Sequence, residues 1–274
     1  MGLTTFIERF EAGLAELEGM PRTQARHAYE RLCQSFAPAD PEDMTITDDT
    51  LDGVAVRRFV PAQAEPGTVV YLHGGGWTLG SVVSHHGLTA NLAERLKRTV
   101  ISVDYRLAPE ADYAEALDDC LRVIDACAPR AVVGDSAGAT LAIHAALAYQ
   151  RPIPLGLIYP PVGQPSDTTL GPDAPLLSRA DILALWKQVA TQIPITMDTS
   201  TTPPTATIDV LAVEHDPLTA PLERAVFAWQ QAGADVTYRI APGMVHGALH
   251  AHDILPEMRE AWQDFCQALE KRLG

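Results

Sequence analysis

The residues best suited to chemistry lie in the pentapeptide Gly-Asp-Ser-Ala-Gly at positions 134–138. The apolar run at 130–133 before it is typical of a strand, and the alanine-rich segment 139–147 after it is typical of a helix. At a sharp strand-to-helix turn a serine hydroxyl stands clear of the sheet, and the flanking glycines relieve the crowding that the turn creates. The pattern therefore predicts that Ser136 is a nucleophile.

A serine hydroxyl is a weak nucleophile until a base takes its proton. His246 is predicted to be that base, because its loop at 242–247 contains a proline and two glycines that suit a tight turn presenting a side chain. The loop follows a strand-like run, and catalytic groups collect at strand ends in α/β sheets. We therefore expect His246 to lie beside Ser136 in the fold.

Asp216 is predicted to be the acid that orients the base. It would accept a hydrogen bond from His246, fix the tautomer of the ring and stabilise the imidazolium. Asp216 follows the strand-like run 210–213 and precedes a proline that begins a turn. Glu214 in the same loop is the main alternative. Asp209 is a weaker one, because it falls at the start of the strand and so at the opposite end of the sheet.

Three consecutive glycines follow another strand-like run, in the segment His-Gly-Gly-Gly-Trp at 73–77. Glycines let the backbone approach a substrate closely and aim its amides at developing negative charge. We therefore predict an oxyanion hole formed by the amides of Gly74, Gly75 and Ala137, the last being the residue after the nucleophile. A phosphate-binding loop is the competing interpretation, but the segment lacks the Gly-Lys-Ser/Thr ending of such loops.

Histidines recur after the predicted base, since His250 and His252 follow His246 at short spacing. No cysteine or carboxylate cluster completes a metal site around them, so a metal site is not expected. We expect His250 and His252 at the solvated start of a helix. His144, on the helix after the nucleophile, is expected to be packed in the core.

The composition limits the classes of partner. The chain has 274 residues with 47% hydrophobic content and a net charge of −15, which disfavours nucleic acid and anionic membrane surfaces as partners. No apolar run approaches the length of a membrane span, and no secretory signal is evident at the N-terminus. The four cysteines form no Cys-x-x-Cys pair, which is typical of reduced, cytoplasmic proteins.

The order of elements predicts an α/β fold. Two amphipathic helices at 3–18 and 22–36 come first, and then a hairpin turns at Asp52-Gly53. Strand-like and helical runs alternate from residue 68 onward, which predicts a mostly parallel sheet of about eight strands covered by helices on both faces. The whole chain, 1–274, is expected to be one domain.

One long connection interrupts the alternation. Residues 162–206 are rich in Pro, Thr, Asp and Gly and enclose a short helix that carries Trp186. A connection of this length in a compact domain is usually functional or disordered. With about the first 40 residues, 1–40, it is predicted to form a helical cap. Trp77 beside the glycine loop and Trp186 on the cap are expected to contact substrate and to shorten the pocket, which favours short acyl chains.

These motifs together resemble the hormone-sensitive-lipase family of α/β-hydrolase esterases, in the order in which that family carries them. The resemblance implies a carboxylic-ester hydrolase with a helical cap, no cofactor, a small-molecule ester as substrate, and the triad and oxyanion hole predicted above. Relatives often pair through an edge strand, so a homodimer is left open. The stretches that carry the resemblance are His73–Trp77, Asp104–Glu110, Gly134–Gly138, Asp216–Leu218 and Gly243–Gly247.

Two other functions fit the same motifs. An arylformamidase-like amide hydrolase would use a similar His-Gly-Gly loop. The second alternative is a ligand receptor without catalysis, because a fold alone does not prove activity. Retention of His246 together with Ser136 and Asp216 argues against the receptor.

Overall fold

The computed structural model describes residues 1–149, 151–189 and 198–274. Part of the connection at 162–206 thus lies outside the described residues. The helices are α1 (Leu3–Ala15), α2 (Arg22–Gln34), α3 (His86–Leu96), α4 (Tyr113–Cys127), α5 (Ala137–Ala148), α6 (Arg179–Val189), α7 (Thr219–Gln231) and α8 (Pro256–Leu273), with a short 3₁₀ helix at Ala248–Ala251. The strands are β1 (Thr45–Leu51), β2 (Val54–Val60), β3 (Glu65–Leu72), β4 (Arg98–Val103), β5 (Ala131–Asp135), β6 (Leu155–Ile158), β7 (Thr207–His215) and β8 (Asp235–Val245).

The strands form one eight-stranded sheet in the order β1-β2-β4-β3-β5-β6-β7-β8. β2 pairs antiparallel with β1 and with β4, and every other neighbouring pair is parallel. This confirms the predicted α/β fold with a mostly parallel sheet of eight strands. β5 lies in the middle of the parallel part, so its carboxyl end meets the carboxyl ends of its neighbours at one edge.

Alternation along the central strands divides the core between the two faces of the sheet. Val69 and Tyr71 of β3 pack into one apolar cluster with α1, α2, α3 and α8, whereas Val70 and Leu72 pack into the other with α4, α5 and α7. Successive side chains of a strand point to opposite faces, so a strand covered on both sides must be apolar throughout. All five residues of β5 are buried, as this requires.

The two N-terminal helices pack against the body of the fold through aromatic side chains. Phe6 and Phe10 of α1 contact Phe36, which follows α2, with ring centroids 5.0 and 5.9 Å from it. Arg26 of α2 donates hydrogen bonds to the carbonyl oxygens of Thr78 and Ala108, both at 3.0 Å. The helices are thereby attached to the loops that follow β3 and β4. Within the described ranges no helix is long and apolar enough to cross a membrane.

Candidate active site

Ser136 lies at the turn between β5 and α5 with φ 50° and ψ −120°. This is a strained backbone conformation for a residue with a side chain, and such strain concentrates at functional sites. The Ser136 amide donates to the carbonyl oxygen of Ile158 at the end of β6, at 2.9 Å, which helps to hold the turn. The hydroxyl is thus presented at the carboxyl edge of the sheet.

The two glycines of the pentapeptide are required by close backbone contacts. A Cβ atom at Gly134 would lie 2.6 Å from the carbonyl group of Gly138, and a Cβ atom at Gly138 would lie 2.1 Å from the carbonyl oxygen of Leu72. Both contacts are with backbone atoms, which cannot rotate away as a side chain would. Any larger residue would therefore push α5 away from the central strands.

The structure brings Ser136, His246 and Asp216 together in one hydrogen-bonded row. Oγ of Ser136 lies 3.0 Å from Nε2 of His246, and Nδ1 of His246 lies 2.7 Å from Oδ2 of Asp216. The other carboxylate oxygen of Asp216 accepts the amide hydrogen of Leu218 at 2.8 Å. Because a carboxylate only accepts, Nδ1 of His246 carries a proton and Nε2 can receive one from Ser136.

The ring of His246 is held by its surroundings as well as by Asp216. The ring of Tyr159, which follows β6, lies 4.5 Å from it between centroids. Gly247 directly after His246 has φ 79°, a conformation that favours glycine and lets the chain turn into the 3₁₀ helix. The base is therefore fixed by packing, a hydrogen bond and the turn that follows it.

The two alternative acids lie elsewhere. Glu214 accepts a hydrogen bond from the amide of Gly243 at 2.7 Å and so braces the loop that carries the histidine. Asp209 is buried near the start of β7, where it pairs with Arg272 at 2.8 Å. Neither carboxylate contacts His246 among the hydrogen bonds of the described residues. The geometry thus favours Asp216 over both.

The predicted oxyanion hole needs one correction. The amide of Gly74 donates to Oδ1 of Asp135 at 2.9 Å, so it faces the interior and is not available to a substrate. The amides of Gly75 and Gly76 have no acceptor within residues 1–149, 151–189 and 198–274. Ala137 is the first residue of α5, where helix amides lack a partner within the helix. The candidate donors are therefore the amides of Gly75, Gly76 and Ala137. The prediction that Gly74 is a donor was wrong.

The backbone of the glycine loop is tightly curved. Gly75 has φ 116° and Gly76 has φ 60°, both in the left-handed region that glycine tolerates. The carbonyl oxygen of Gly75 accepts the amide hydrogen of Leu79 at 2.9 Å, and Nε1 of Trp77 donates to the carbonyl oxygen of Ala137 at 3.1 Å. The last contact links the loop to the start of α5, so the two halves of the candidate hole are joined directly.

Two cavities meet at Ser136. One of about 190 Å³ reaches past His246 toward α1 and α2 and is bordered by Phe10, Leu14 and Tyr29. The other, of about 30 Å³, extends from Ala137 beneath α6. Trp77 and Trp186 both border this smaller cavity, with ring centroids 6.3 Å apart, so the structure brings together the two tryptophans predicted to contact substrate.

Three further wall residues of the larger cavity could not be predicted as such from the sequence. Phe10, Leu14 and Tyr29 come from the N-terminal helices, more than 100 positions before the nucleophile. Leu185 of α6 borders both cavities and would lie 3.1 Å from a Cβ atom at Gly76. The amphipathic pattern of α1 predicts that these apolar residues are buried, but not what they cover.

The histidines near the base are buried, contrary to the prediction that His250 and His252 lie at a solvated helix start. His250 packs against Phe10 and has its Nε2 atom 3.6 Å from Sγ of Cys33, and His252 contacts the carbonyl oxygen of Leu249. Burial lowers the pKa of His250 to about 3 and that of His252 to about 4. His144 is buried against Tyr113, as expected.

Comparison with known proteins places this geometry in a family. A model of the alpha/beta hydrolase fold matches residues 69–250, about two thirds of the chain. The carboxylesterase NlhH of Mycobacterium tuberculosis is 32% identical, over 85% of this chain and 82% of the relative. The ethyl acetate hydrolase of Pseudomonas putida is 29% identical, over 99% of this chain and 98% of the relative. An esterase of the bacterial hormone-sensitive lipase family shares the fold with a TM-score of 0.82 at 20% identity, over 98% of this chain and 99% of that one.

The chain therefore belongs to the α/β-hydrolase fold family. Within it, the chain is a member of the hormone-sensitive-lipase family of esterases. This confirms the family that the sequence motifs indicated.

Proposed function

We propose that the protein is a serine carboxylesterase that hydrolyses esters of short-chain acids through an acyl-enzyme at Ser136. The observation that carries the proposal is the row formed by Ser136, His246 and Asp216, with 3.0 and 2.7 Å between neighbouring side chains, in the wall of an apolar cavity. The carboxylesterase and ethyl acetate hydrolase among its relatives support the choice of an ester as substrate.

The chemistry follows from the positions of the protons. His246 takes the Ser136 proton at Nε2 while Oγ attacks the ester carbon, and Asp216 stabilises the imidazolium that forms. The negative charge on the former carbonyl oxygen is met by the amides of Gly75, Gly76 and Ala137. His246 then gives its proton to the leaving alcohol, and a water molecule activated by the same base releases the acid and frees Ser136.

Because His246 must protonate the leaving alcohol, its position assigns the two halves of the substrate to the two cavities. The leaving oxygen must reach Nε2 of His246 to be protonated, so the alcohol half belongs in the larger cavity beside that residue. The acyl half then points away from His246, into the cavity of about 30 Å³ between Trp77 and Trp186. A space of this size suits an acetyl or another short acyl group.

We propose that the segments 1–40 and 162–206 act as the cap of a single domain formed by residues 1–274. Support comes from Phe10 and Leu14 of α1, which border the larger cavity, and from Leu185 and Trp186 of α6, which border the smaller one. Removal of residues 1–18 should therefore open the alcohol side of the site.

The cellular compartment and the oligomeric state are also proposals. Four unpaired cysteines in the described chain fit a reducing compartment such as the cytoplasm. A homodimer would be formed through β8, which is at the edge of the sheet and carries Ile240 with 38% of its surface exposed. Light scattering during gel filtration measures the assembly, and substitution of Ile240 by Lys should yield monomers if this edge pairs.

The test of the function compares an aryl ester with an aryl amide that carries the same p-nitrophenyl ring. We expect p-nitrophenyl acetate to be hydrolysed with an initial burst of one equivalent of p-nitrophenol when deacylation is slow, and p-nitroformanilide to be hydrolysed far more slowly. A higher kcat/KM for the formanilide would instead assign the site to an amide hydrolase. If the unmodified protein releases p-nitrophenol no faster than Ser136→Ala does, the protein would instead be a ligand receptor without catalysis.

A further inference from the structure

Asp135, the residue before the proposed nucleophile, carries a buried carboxylate that the proposed reaction does not use. Its Oδ1 atom accepts hydrogen bonds from the hydroxyl of Tyr71 at 2.6 Å and from the amide of Gly74 at 2.9 Å. Its Oδ2 atom lies 3.3 Å from Nε2 of His85. Three groups from β3, the glycine loop and the residue before α3 thus converge on one side chain at the end of β5.

The contact with Gly74 requires a glycine at that position. A Cβ atom at Gly74 would lie 2.3 Å from Oδ2 of Asp135, so any larger residue would push the carboxylate away. The absence of a side chain lets the carboxylate approach the loop backbone directly. The amide of Gly74 is also one peptide unit before the amide of Gly75, the first candidate oxyanion donor, so its position sets the direction of those that follow.

Hydrogen-bond donors surround the carboxylate of Asp135. The Gly74 nitrogen lies 3.3 Å from Nε2 of His85 and 2.9 Å from Oδ1 of Asp135. A carboxylate can only accept hydrogen bonds, so Nε2 of His85 donates to Oδ2 of Asp135, and the Gly74 amide donates to the nearer Oδ1. Nδ1 of His85 is held 2.9 Å from the hydroxyl of Ser84. Burial by itself would raise the pKa of Asp135, but the charge and hydrogen bond of His85 and the hydrogen bond of Tyr71 outweigh it and hold this pKa well below the usual range.

The rest of the glycine loop is fixed from other sides. The hydroxyl of Tyr105 donates to the carbonyl oxygen of His73 at 2.6 Å, and Nδ1 of His73 contacts the carbonyl oxygen of Gly74 at 2.9 Å. Both contacts act on carbonyl oxygens. Asp135, by contrast, accepts the amide hydrogen of Gly74. The amides of Gly75 and Gly76 are therefore the ones free to donate to a substrate.

We propose that Asp135 is a positioning residue of the oxyanion hole, which holds the Gly74 amide so that those of Gly75 and Gly76 converge on the substrate oxygen. The inference rests on the proposed ester hydrolysis at Ser136. It adds a role for the residue between the first glycine and the serine of the pentapeptide, and that role acts through the loop rather than on the substrate. Misplacement of catalytic groups by about 1 Å can cost 10²-fold in rate, so the loss of Asp135 should be large.

A buried carboxylate elsewhere in the sheet supplies a matched control. Asp209 of β7 is as buried as Asp135, and it pairs with Arg272 at the opposite end of the strands, away from the site. Its loss should lower the melting temperature without moving the glycine loop. A merely structural role for Asp135 would give the same result as the loss of Asp209.

The test uses the full chain with Asp135→Ala, Asp135→Asn, Asp209→Ala and Asp209→Asn. The readouts are kcat/KM for p-nitrophenyl acetate, the inhibition constant of phenylboronic acid and the melting temperature. A boronate bonded to Ser136 mimics the tetrahedral intermediate and places an oxygen in the hole. For Asp135→Ala we expect kcat/KM to fall roughly 10²-fold and boronate binding to weaken by the same factor, as for loss of oxyanion donors. Asp135→Asn, whose amide oxygen can still accept from Gly74, should lose roughly tenfold in both.

In the Asp209 variants, kcat/KM and the inhibition constant of phenylboronic acid should change by less than threefold, whatever their melting temperatures. The proposal is overturned if a folded Asp135 variant behaves like the matched Asp209 variant, or if it loses kcat/KM while boronate binding is unchanged. If Asp135→Ala does not fold, the isosteric pair Asp135→Asn and Asp209→Asn decides by the same criteria. Failure of the proposed function is a separate result, namely no hydrolysis by the unmodified protein or full activity in Ser136→Ala.

Discussion

Nδ1 of His246 lies 2.7 Å from Oδ2 of Asp216, and the side chain of Asp216 is fully buried. Two residues earlier in the chain, Glu214 turns to the surface and binds the amide of Gly243. Two carboxylates at the end of β7 thus have different environments, and the buried one is the one that contacts the base. The acid of the proposed triad follows from this difference.

Replacement of Asp216 by Asn should lower kcat by roughly 10⁴-fold, because the amide would favour the wrong tautomer of His246. Glu214→Gln, two residues earlier at the end of β7, is the matched control. It weakens one exposed hydrogen bond and should cost less than about tenfold. Steady-state hydrolysis of p-nitrophenyl acetate measures both, and the reverse ranking would move the acid to Glu214.

Trp186→Ala should lengthen the acyl chains that the enzyme accepts, since Trp186 borders the small cavity assigned to the acyl group. The unmodified enzyme should hydrolyse p-nitrophenyl acetate to hexanoate well and the dodecanoate poorly. In the variant, kcat/KM should rise about fourfold for each added methylene that gains burial, which corresponds to about 0.8 kcal/mol. Leu183→Ala on the same helix, outside both cavities, is the control and should leave the optimum in place. An optimum at twelve carbons or more in the unmodified enzyme would contradict the small acyl cavity.

Leu14→Trp should act on the alcohol half of the substrate instead. Leu14 of α1 borders the larger cavity beside His246, so the bulkier side chain should exclude large alcohols. We expect kcat/KM to fall for naphthyl acetate and to stay near that of the unmodified enzyme for ethyl acetate. Glu11→Trp, exposed on the same helix, controls for the added ring. Loss of activity that follows acyl length rather than alcohol size would reverse the assignment of the two cavities.

The buried histidines should make the fold sensitive to acid. Burial lowers the pKa of His73 and His250 to about 3 and that of His144 and His252 to about 4, from an ordinary value of 6.5. Below pH 6.5 the unfolded chain therefore binds protons that the folded chain does not. The free energy of unfolding that depends on these neutral histidines is fully present above pH 6.5. It declines as the pH falls toward 4, by about 1.4 kcal/mol per pH unit for each of these residues.

Urea unfolding at pH 7.5 and 5.5 measures this loss. His144→Gln keeps a polar side chain next to Tyr113 but removes one titrating group away from the site. The variant should lose about 1.4 kcal/mol less than the unmodified protein between the two pH values. An equal loss in both proteins would show that His144 does not stay neutral in the fold.

Much of the fold could be predicted from the sequence, because its signals are local. The strands are short apolar runs, and Ser136, His246 and Asp216 each lie just after one, at the edge where the parallel strands end. The pattern around Ser136 predicts that crowding requires its flanking glycines, and the close backbone contacts of Gly134 and Gly138 confirm this.

The errors have long-range causes. Three consecutive glycines do not reveal which amides face the site. The sequence predicts Gly74 as a donor, whereas its amide donates to the carboxylate of Asp135, 61 positions later. The polarity of histidine predicts that His250 is exposed to solvent. It is buried because Phe10 and Cys33 of the N-terminal helices pack against it, and no pattern near His250 indicates that contact.

Covalent labelling with diethyl p-nitrophenyl phosphate, read by intact mass and peptide mapping, identifies the nucleophile directly. We expect one diethylphosphoryl group per chain, located on Ser136, with loss of esterase activity in proportion to labelling. Ser136→Ala should take up no label and keep less than about a thousandth of the rate, since loss of a triad member can cost up to 10⁶-fold in kcat. Label on another residue, or more than a tenth of the rate in Ser136→Ala, would contradict the account.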